Sequence, residues 1–182
     1  AKSDPSSNVF WTGDLSTKGL SLWSSLEFTI SQPTSSCSPT IAATFPKTDL
    51  GPLNVLGIWT KPKPTYEADI LNTLRGYSEF IRSGPTIILG DFNLDRRIIG
   101  RASHFDRVNR FMEETIGVGS TYHSHSRENF GLENRATHYH NRKPERQFHC
   151  DFIYAPKALL EKVGKVSVPD FSCFDTSDHR PV

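Results

Sequence analysis

The sequence predicts a mixed α/β sandwich, with helices packed on a sheet that is not wound as a regular βαβ repeat. Short β-branched or aromatic segments bounded by Gly, Pro, Ser or Asp are its first sign, and two longer stretches of helical period are the second. The third is their order, which runs strands, helix, strand, helix and then strands again. Strands are expected at Leu20–Ser24, Leu26–Ile30, Ile41–Phe45, Leu53–Trp59, Thr86–Leu89, Phe148–Tyr154 and Val163–Val168. Two stretches, Ser31–Thr40 and Lys61–Pro64, read as loops, since proline and small polar residues suit neither a helix nor a central strand.

The first helix is expected over Thr65–Ser83, where Tyr66, Ile70, Leu71, Leu74, Tyr77, Phe80 and Ile81 share one face. Glu67 and Asp69 in its first turn and Arg82 in its last suit the helix dipole, and Gly84 supplies a stop. The second is expected over His104–Ile116, with Ser103 as N-cap, Asp106 three residues later, a stripe of Phe105, Val108, Phe111 and Met112, and Gly117 as its end. Both stripes read as core, with the helices packed on a sheet.

Composition narrows the function classes. A chain of 182 residues, 36% hydrophobic and 23% charged, suits one domain with a real core, which argues against disorder or a disulfide-stapled mini-fold. A net charge of +1 gives no global field to steer polyanions, so binding of nucleic acid would need a local basic patch. Apolar runs such as Thr86–Leu89 fall far short of a membrane span, and the first residues lack the pattern of a signal peptide. Cys37, Cys150 and Cys173 have no metal-ligand spacing, so reduced thiols in a cytoplasmic, monomeric protein are expected.

The chemistry gathers in short motifs. Gly90-Asp91-Phe92-Asn93 follows the apolar run Thr86–Leu89, placing a carboxylate and a carboxamide two residues apart at the end of a core strand. Phe92 between them should point the opposite way and anchor the turn. Asp91 can accept a proton from water or bind a cation, and Asn93 can orient a nucleophile, though both types also form ordinary turns. In His149-Cys150-Asp151-Phe152-Ile153-Tyr154 a carboxylate sits inside an apolar strand, where an unpaired charge would cost several kcal/mol, so Asp151 needs a partner. His179, in the closing Ser177-Asp178-His179-Arg180-Pro181-Val182, is the favoured partner, leaving Asp178 free to bind a metal.

These motifs, in this order, resemble the endonuclease/exonuclease/phosphatase superfamily, which is similar to DNase I. The likeness runs from about Lys18 to Val182. It implies a four-layer αββα sandwich of two packed mixed β-sheets. It further implies that Asp91 activates or orients the attacking water, that Asn93 positions it, and that His179 stabilises phosphoryl charge while Asp151 orients His179. Asp178, with Asp91 and Asn93, is implied as a divalent-metal site whose oxygen donors suit Mg²⁺ or Mn²⁺. By the same likeness Trp59, at the end of its strand, and Thr137, just before the Asp151 strand, are candidates for substrate contact.

The sequence also departs from that pattern. The superfamily carries an early strand with Asn and a later metal-binding Glu; nothing in Ala1–Trp11 supplies either, and Glu27 lies in the wrong context. The expectation is one domain over residues 1–182 that lacks its N-terminal strand–helix unit and the end of its last strand.

Histidines alternate in Tyr122-His123-Ser124-His125 and again in Thr137-His138-Tyr139-His140, so on strands each pair would share a face. A zinc site is disfavoured there, since no thiolate or carboxylate completes the ligand set, and contact of His123 with substrate or a plain surface position is expected. Arg96, Arg97, Arg101, Arg107 and Arg110 follow the first motif, and Arg135, Arg142, Lys143 and Arg146 form a second group. Arg135 is the candidate phosphate contact, and a solvated helix face balanced by Asp106, Glu113 and Glu114 is the plain reading of the first group.

The expected function is a divalent-metal-dependent hydrolase of phosphoester bonds, acting on nucleic acid or on a small phosphorylated molecule. The alternative is an inactive member of the superfamily that binds nucleic acid or protein.

Overall fold

In the computed structural model, residues 8–15, 18–31, 38–173 and 177–182 are described. A hairpin of β1 (Asn8–Leu15) and β2 (Lys18–Ser24) comes first. A six-stranded sheet follows, of β3 (Thr29–Ser31), β4 (Thr40–Phe45), β5 (Leu53–Trp59), β6 (Thr86–Asp91), β7 (Val118–Ser120) and β10 (Asp151–Pro156), in the order β3-β4-β5-β6-β10-β7. The β5–β6 pair is parallel and the others antiparallel, so the sheet is mixed, as the sequence predicts. A small ribbon pairs β8 (His138–Tyr139) with β9 (Gln147–Phe148).

Strand alternation divides the core in two. Ala42, Leu56, Ile58, Ile88, Phe152 and Tyr154 face the helices and pack with Ile70, Leu74, Phe105, Val108 and Met112. Ile41, Ala43 and Phe45 face the other way, onto Phe10, Leu20 and Leu22 of the hairpin. The hairpin thus covers part of the second sheet face. Its own outward face leaves Val9 and Trp23 63% and 69% exposed.

The first predicted helix forms as α1 (Tyr66–Gly76) and α2 (Ser78–Arg82), broken at Tyr77, where φ is −101° and ψ 15°. Gly76 explains the weak point, since glycine is among the poorest helix formers. Thr65 caps α1 by accepting from the Ala68 N–H. The acidic first turn does more than suit the dipole: Asp69 is buried and accepts the Lys61 N–H, while Glu67 binds Arg107 and His104 of the next helix.

That helix, α3 (Ala102–Arg110), starts before the expected Ser103 cap; Arg101 precedes it without a side-chain cap, and Asp106 binds Arg96 instead. It runs into a π-helical turn, Phe111–Ile116, closed by Gly117 at φ +84° with its N–H on the Met112 carbonyl. Two short helices, α4 (Thr121–Ser126) and α5 (Lys157–Leu160), flank β7 and β10. No helix among the described residues is long and apolar enough to cross a membrane.

Three expected strands are corrected. Leu26–Ile30 forms a strand only from Thr29, because Ser24 Oγ accepts the Leu26 N–H and turns the chain there. Phe148–Tyr154 is split, because the His149 N–H goes to the Asp95 carboxylate and those of Cys150 and Asp151 go to Thr137 Oγ1. Val163–Val168 is irregular; it has β-branched residues, but among the described residues no strand lies beside it to complete a ladder. β1 went unread, although Val9 and Trp11 alternate with Phe10 and Thr12. Of the expected loop Ser31–Thr40, residues 32–37, with Cys37, lie outside the described residues, and Cys150 and Cys173 are free thiols.

One glycine holds the sheet together where its chemistry sits. Gly90 has φ +139°, and a Cβ there would lie 1.9 Å from the Ile58 carbonyl oxygen. Gly90→Ala is therefore expected to cost about 3 kcal/mol or more. Gly117→Ala, with positive φ but open space, should cost only about 1–2 kcal/mol. Urea unfolding midpoints check both; equal small shifts would show that β5 and β6 part freely.

Candidate active site

The register of three strands lines up the functional side chains. Trp59 lies opposite Asp91 in the parallel β5–β6 pair, and Asp91 opposite Asp151 in the antiparallel β6–β10 pair. Residues in register share a sheet face, so the two carboxylates come close at the ends of adjacent strands. Phe92 turns the other way into the core against Phe152 and Tyr154, as the sequence predicts.

After Asp91 the chain folds tightly. Asn93 adopts φ +49°, its N–H donates to Asp91 Oδ1 at 2.8 Å, and its Nδ2 donates to Asp91 Oδ2 at 2.7 Å and to the Thr60 carbonyl. The Asp91 carbonyl in turn accepts from Thr60 N and Oγ1. Asp91 and Asn93 thus form one unit braced by the loop after β5.

His179 completes the group. Its Nδ1 lies 2.9 Å from Asp151 Oδ2 and 3.1 Å from Oδ1, and donor atoms of Asp91, Asp151 and His179 all fall within 4.8 Å of one another. The backbone carries it there. Tyr139 N donates to the Asp178 carbonyl and Arg180 N to that of Thr137, which pairs His138 directly with His179. Arg180, buried between the rings of Tyr139 and Phe171, donates to the carbonyls of Ser177, His179 and Phe171.

No protein-family model and no curated protein matches the sequence. Solved structures do match. The chain is similar to a 3′ phosphatase, NExo, from Neisseria bound to a product DNA hairpin, with a TM-score of 0.67, 16% identity, and coverage of 96% of this chain and 77% of that one. It is likewise similar to the 3′-5′ exonuclease NExo of Neisseria meningitidis, at TM-score 0.67 and 18% identity over 96% and 77% of the two chains. Human Nocturnin's catalytic domain with bound sulfate matches at TM-score 0.50 and 14% identity over 96% and 69%. The fold is DNase I-like.

In this DNase I-like fold the expected site residues separate into two sets. Asp91, Asn93, Asp151 and His179 come together. Trp59 borders them, half-buried, with Lys61 Nζ 4.8 Å over its ring. Asp178 falls on the other side of His179, grouped with His138 rather than with Asp91.

Two expected substrate contacts, Thr137 and His123, are corrected, and Arg135 has a partner of its own. Thr137 is fully buried, and its hydroxyl oxygen accepts the N–H groups of Cys150 and Asp151, so it positions Asp151. His123 lies on α4, not on a strand; it is buried against Phe130 and bound to Ser120 and Glu133. Arg135 is half-exposed and paired with Asp170.

Sequence reasoning missed Asp95, which is buried and ties Arg97 and the His149 N–H to the loop after β6. Its signal was the continued alternation Asp91, Asn93, Asp95. It also gave Arg180 no role, although the residue stood in the quoted motif.

Electrostatics follow from these contacts. Burial, and then the nearby Asp151 charge, push the Asp91 carboxyl up to about 7, while His179 and the Asn93 hydrogen bonds oppose the rise. Burial works against a charged His179, but the hydrogen bond and charge of Asp151, helped by Asp91 and Asp178, raise it to about 9. In the buried pair behind the site, burial opposes ionised Glu133, yet hydrogen bonds from His123 and the Gly131 N–H hold it near 2.

The His179 contribution to stability is full below about 6.5 and is lost as pH rises through about 9. In NMR titration of the metal-free chain its ring should titrate near 9, and in Asp151→Asn at or below the usual ~6.5. A ring indifferent to that change would show that Asp151 does not hold its proton. Glu133 has the opposite sense: its contribution is present above 4.5 and lost as pH falls through about 2. At ~1.4 kcal/mol per pH unit that is about 3 kcal/mol, so Glu133→Gln should flatten the acid limb of stability followed by circular dichroism.

Proposed function

We propose that this chain hydrolyses phosphoester bonds of nucleic acid with the help of a divalent cation. The observation that carries the reading is the convergence of Asp91, Asp151 and His179 at the ends of β6 and β10. Asp91 is braced by Asn93 and has a carboxyl held near 7, which suits a group that takes a proton from an attacking water. His179 has Nδ1 held by Asp151 and therefore offers Nε2–H to a phosphoryl oxygen, where it would offset charge developing in the transition state. Trp59 offers a flat aromatic surface beside them.

The donor set fits a hard cation. Two carboxylates and a carboxamide oxygen suit Mg²⁺ or Mn²⁺, and a cation there would offset the Asp151 charge that, after burial, raises the Asp91 carboxyl. Asp91 and Asn93, with Asp151 in register beside Asp91, are the proposed ligands, and Asp178, across His179, is left out of the set. When bound, such a cation supplies charge neutralisation at the phosphoryl oxygens and favours the Asp91 carboxylate over its acid.

Nucleic acid is favoured over a small phosphoester for two reasons. The similar NExo structures are a 3′ phosphatase with a DNA hairpin and a 3′-5′ exonuclease. In addition, Arg142, Lys143 and Arg146 stand exposed in the turn between β8 and β9, the ribbon that carries His138. In the first arginine group, Arg96, Arg97 and Arg107 are paired to Asp106, Asp95 and Glu67, and Arg101 lies over the Tyr66 ring.

Hydrolysis of a labelled DNA strand in Mg²⁺ is expected to stop with EDTA and to fall by about 10²–10⁴-fold in Asp91→Ala and in His179→Ala. Its rate should fall as pH rises through about 9, where His179 loses its proton. Full activity in either variant, or turnover in EDTA, would sink the mechanism; DNA binding without turnover would leave a binding module. Binding should weaken linearly in log–log form as salt increases, and the triple change of Arg142, Lys143 and Arg146 to Ala should flatten that slope by up to ~3.

A further inference from the structure

Beside the proposed hydrolytic group stands a second cluster of different chemistry. His138 Nε2 lies 3.6 Å from Asp178 Oδ2, and donor atoms of His138, Asp178 and His179 all lie within 4.8 Å of one another. Two imidazoles and one carboxylate form a nitrogen-rich set, unlike the oxygen donors around Asp91.

The backbone builds this cluster. The bonds from Tyr139 N to Asp178 O and from Arg180 N to Thr137 O flank His138 and His179 without joining them, which makes them a non-hydrogen-bonded antiparallel pair. Side chains approach each other most closely at such pairs. The two rings accordingly stack, with centroids 4.5 Å apart and planes 27° apart, and Phe148 stacks on the far side of His138. Asp178 precedes His179, and buried Arg180 fixes the carbonyls on either side of Asp178. The donors are therefore held in place by buried structure, while the His138, Asp178 and His179 side chains stay 15%, 46% and 35% exposed.

We propose that His138, Asp178 and His179 form a binding site for a nitrogen-preferring divalent transition ion of the Zn²⁺ class. Donors of a tetrahedral Zn²⁺ lie roughly 3.3 Å apart, given metal–ligand distances of ~2.0–2.1 Å. The His138–Asp178 separation is close to that value. Because Asp151 holds His179 Nδ1, Nε2 is the nitrogen left to bind, an arrangement in which a carboxylate orients a metal-ligating imidazole. Three protein donors leave a fourth position for water or a ligand atom.

The site stands on geometry alone, whereas its consequence for turnover rests on the proposed function. An ion there occupies the His179 Nε2 needed at the phosphoryl group. Zn²⁺ therefore inhibits, through residues that Mg²⁺ does not seek.

Titration of the 182-residue chain with Co²⁺, followed by visible absorption, tests the site, with Zn²⁺ added to displace the Co²⁺. An intense four-coordinate spectrum that Zn²⁺ abolishes is expected. His138→Phe keeps an aromatic ring between Phe148 and His179 and removes the donor; it should weaken Zn²⁺ binding by at least ~10–100-fold, with a metal-free melting temperature near that of the parent. A weak six-coordinate spectrum, or equal Zn²⁺ affinity in the variant, overturns the site.

DNA hydrolysis in Mg²⁺ is measured alongside, with Zn²⁺ inhibition expressed relative to each variant's own rate. Inhibition is expected to need at least ~10-fold more Zn²⁺ in His138→Phe than in the parent. Zn²⁺ bound through His138 without inhibition overturns the link to turnover. No hydrolysis at all, with Zn²⁺ binding intact, overturns the proposed function and leaves the metal site standing.

Discussion

Strands β5 and β6 meet so closely at Gly90 that the Ile58 carbonyl oxygen occupies the space of a side chain. That approach keeps the parallel register intact to the last pair, Trp59 with Asp91, and so keeps Asp91 level with Asp151 on the far side. A shift of one residue along β6 would turn Asp91 to the other face of the sheet. The carboxylate pair, the position of His179 and the bracing by Asn93 all presuppose this alignment. An absent Cβ is thus the first requirement of the site.

A second requirement lies behind it, in polar groups that never meet solvent. Thr137 and Asp95 take up the N–H groups of His149, Cys150 and Asp151 where the chain enters β10. Arg180 does the same for carbonyls around Asp178 and His179. Buried backbone groups left without partners cost more than such bonds gain, so these side chains fix the path of the segments that carry the reactive groups. The residues that could touch a phosphate are few; those that determine where they point are more numerous and more deeply buried.

Much of this was legible in the sequence, for physical reasons. Leu53–Trp59 and the run ending in Asp91 were readable because apolar strands between turn formers leave a strong local pattern. The Asp151–His179 pair was readable because a carboxylate in an apolar strand demands a partner. The His149 break was not, since it depends on a threonine hydroxyl and an aspartate distant in the chain. His123 was misplaced because alternating His and Ser fit a strand as well as the short helix that the Ser120 cap starts. The carboxylate missing from the second histidine pair was likewise invisible, because Asp178 reaches His138 only through an isolated bridge between distant segments.

The two-stranded hairpin gives the molecule an uneven optical character. Its three tryptophans are Trp11 and Trp23, on the hairpin's outward side, and Trp59 at the strand end beside Asp91. The helix-facing core contains phenylalanine and tyrosine but no indole. Intrinsic indole emission therefore reports on the hairpin and the mouth of the site and is nearly blind to the packed interior. A fluorescence melt follows the hairpin and the site mouth together, and a coincident ultraviolet tyrosine signal is needed to see the packed interior.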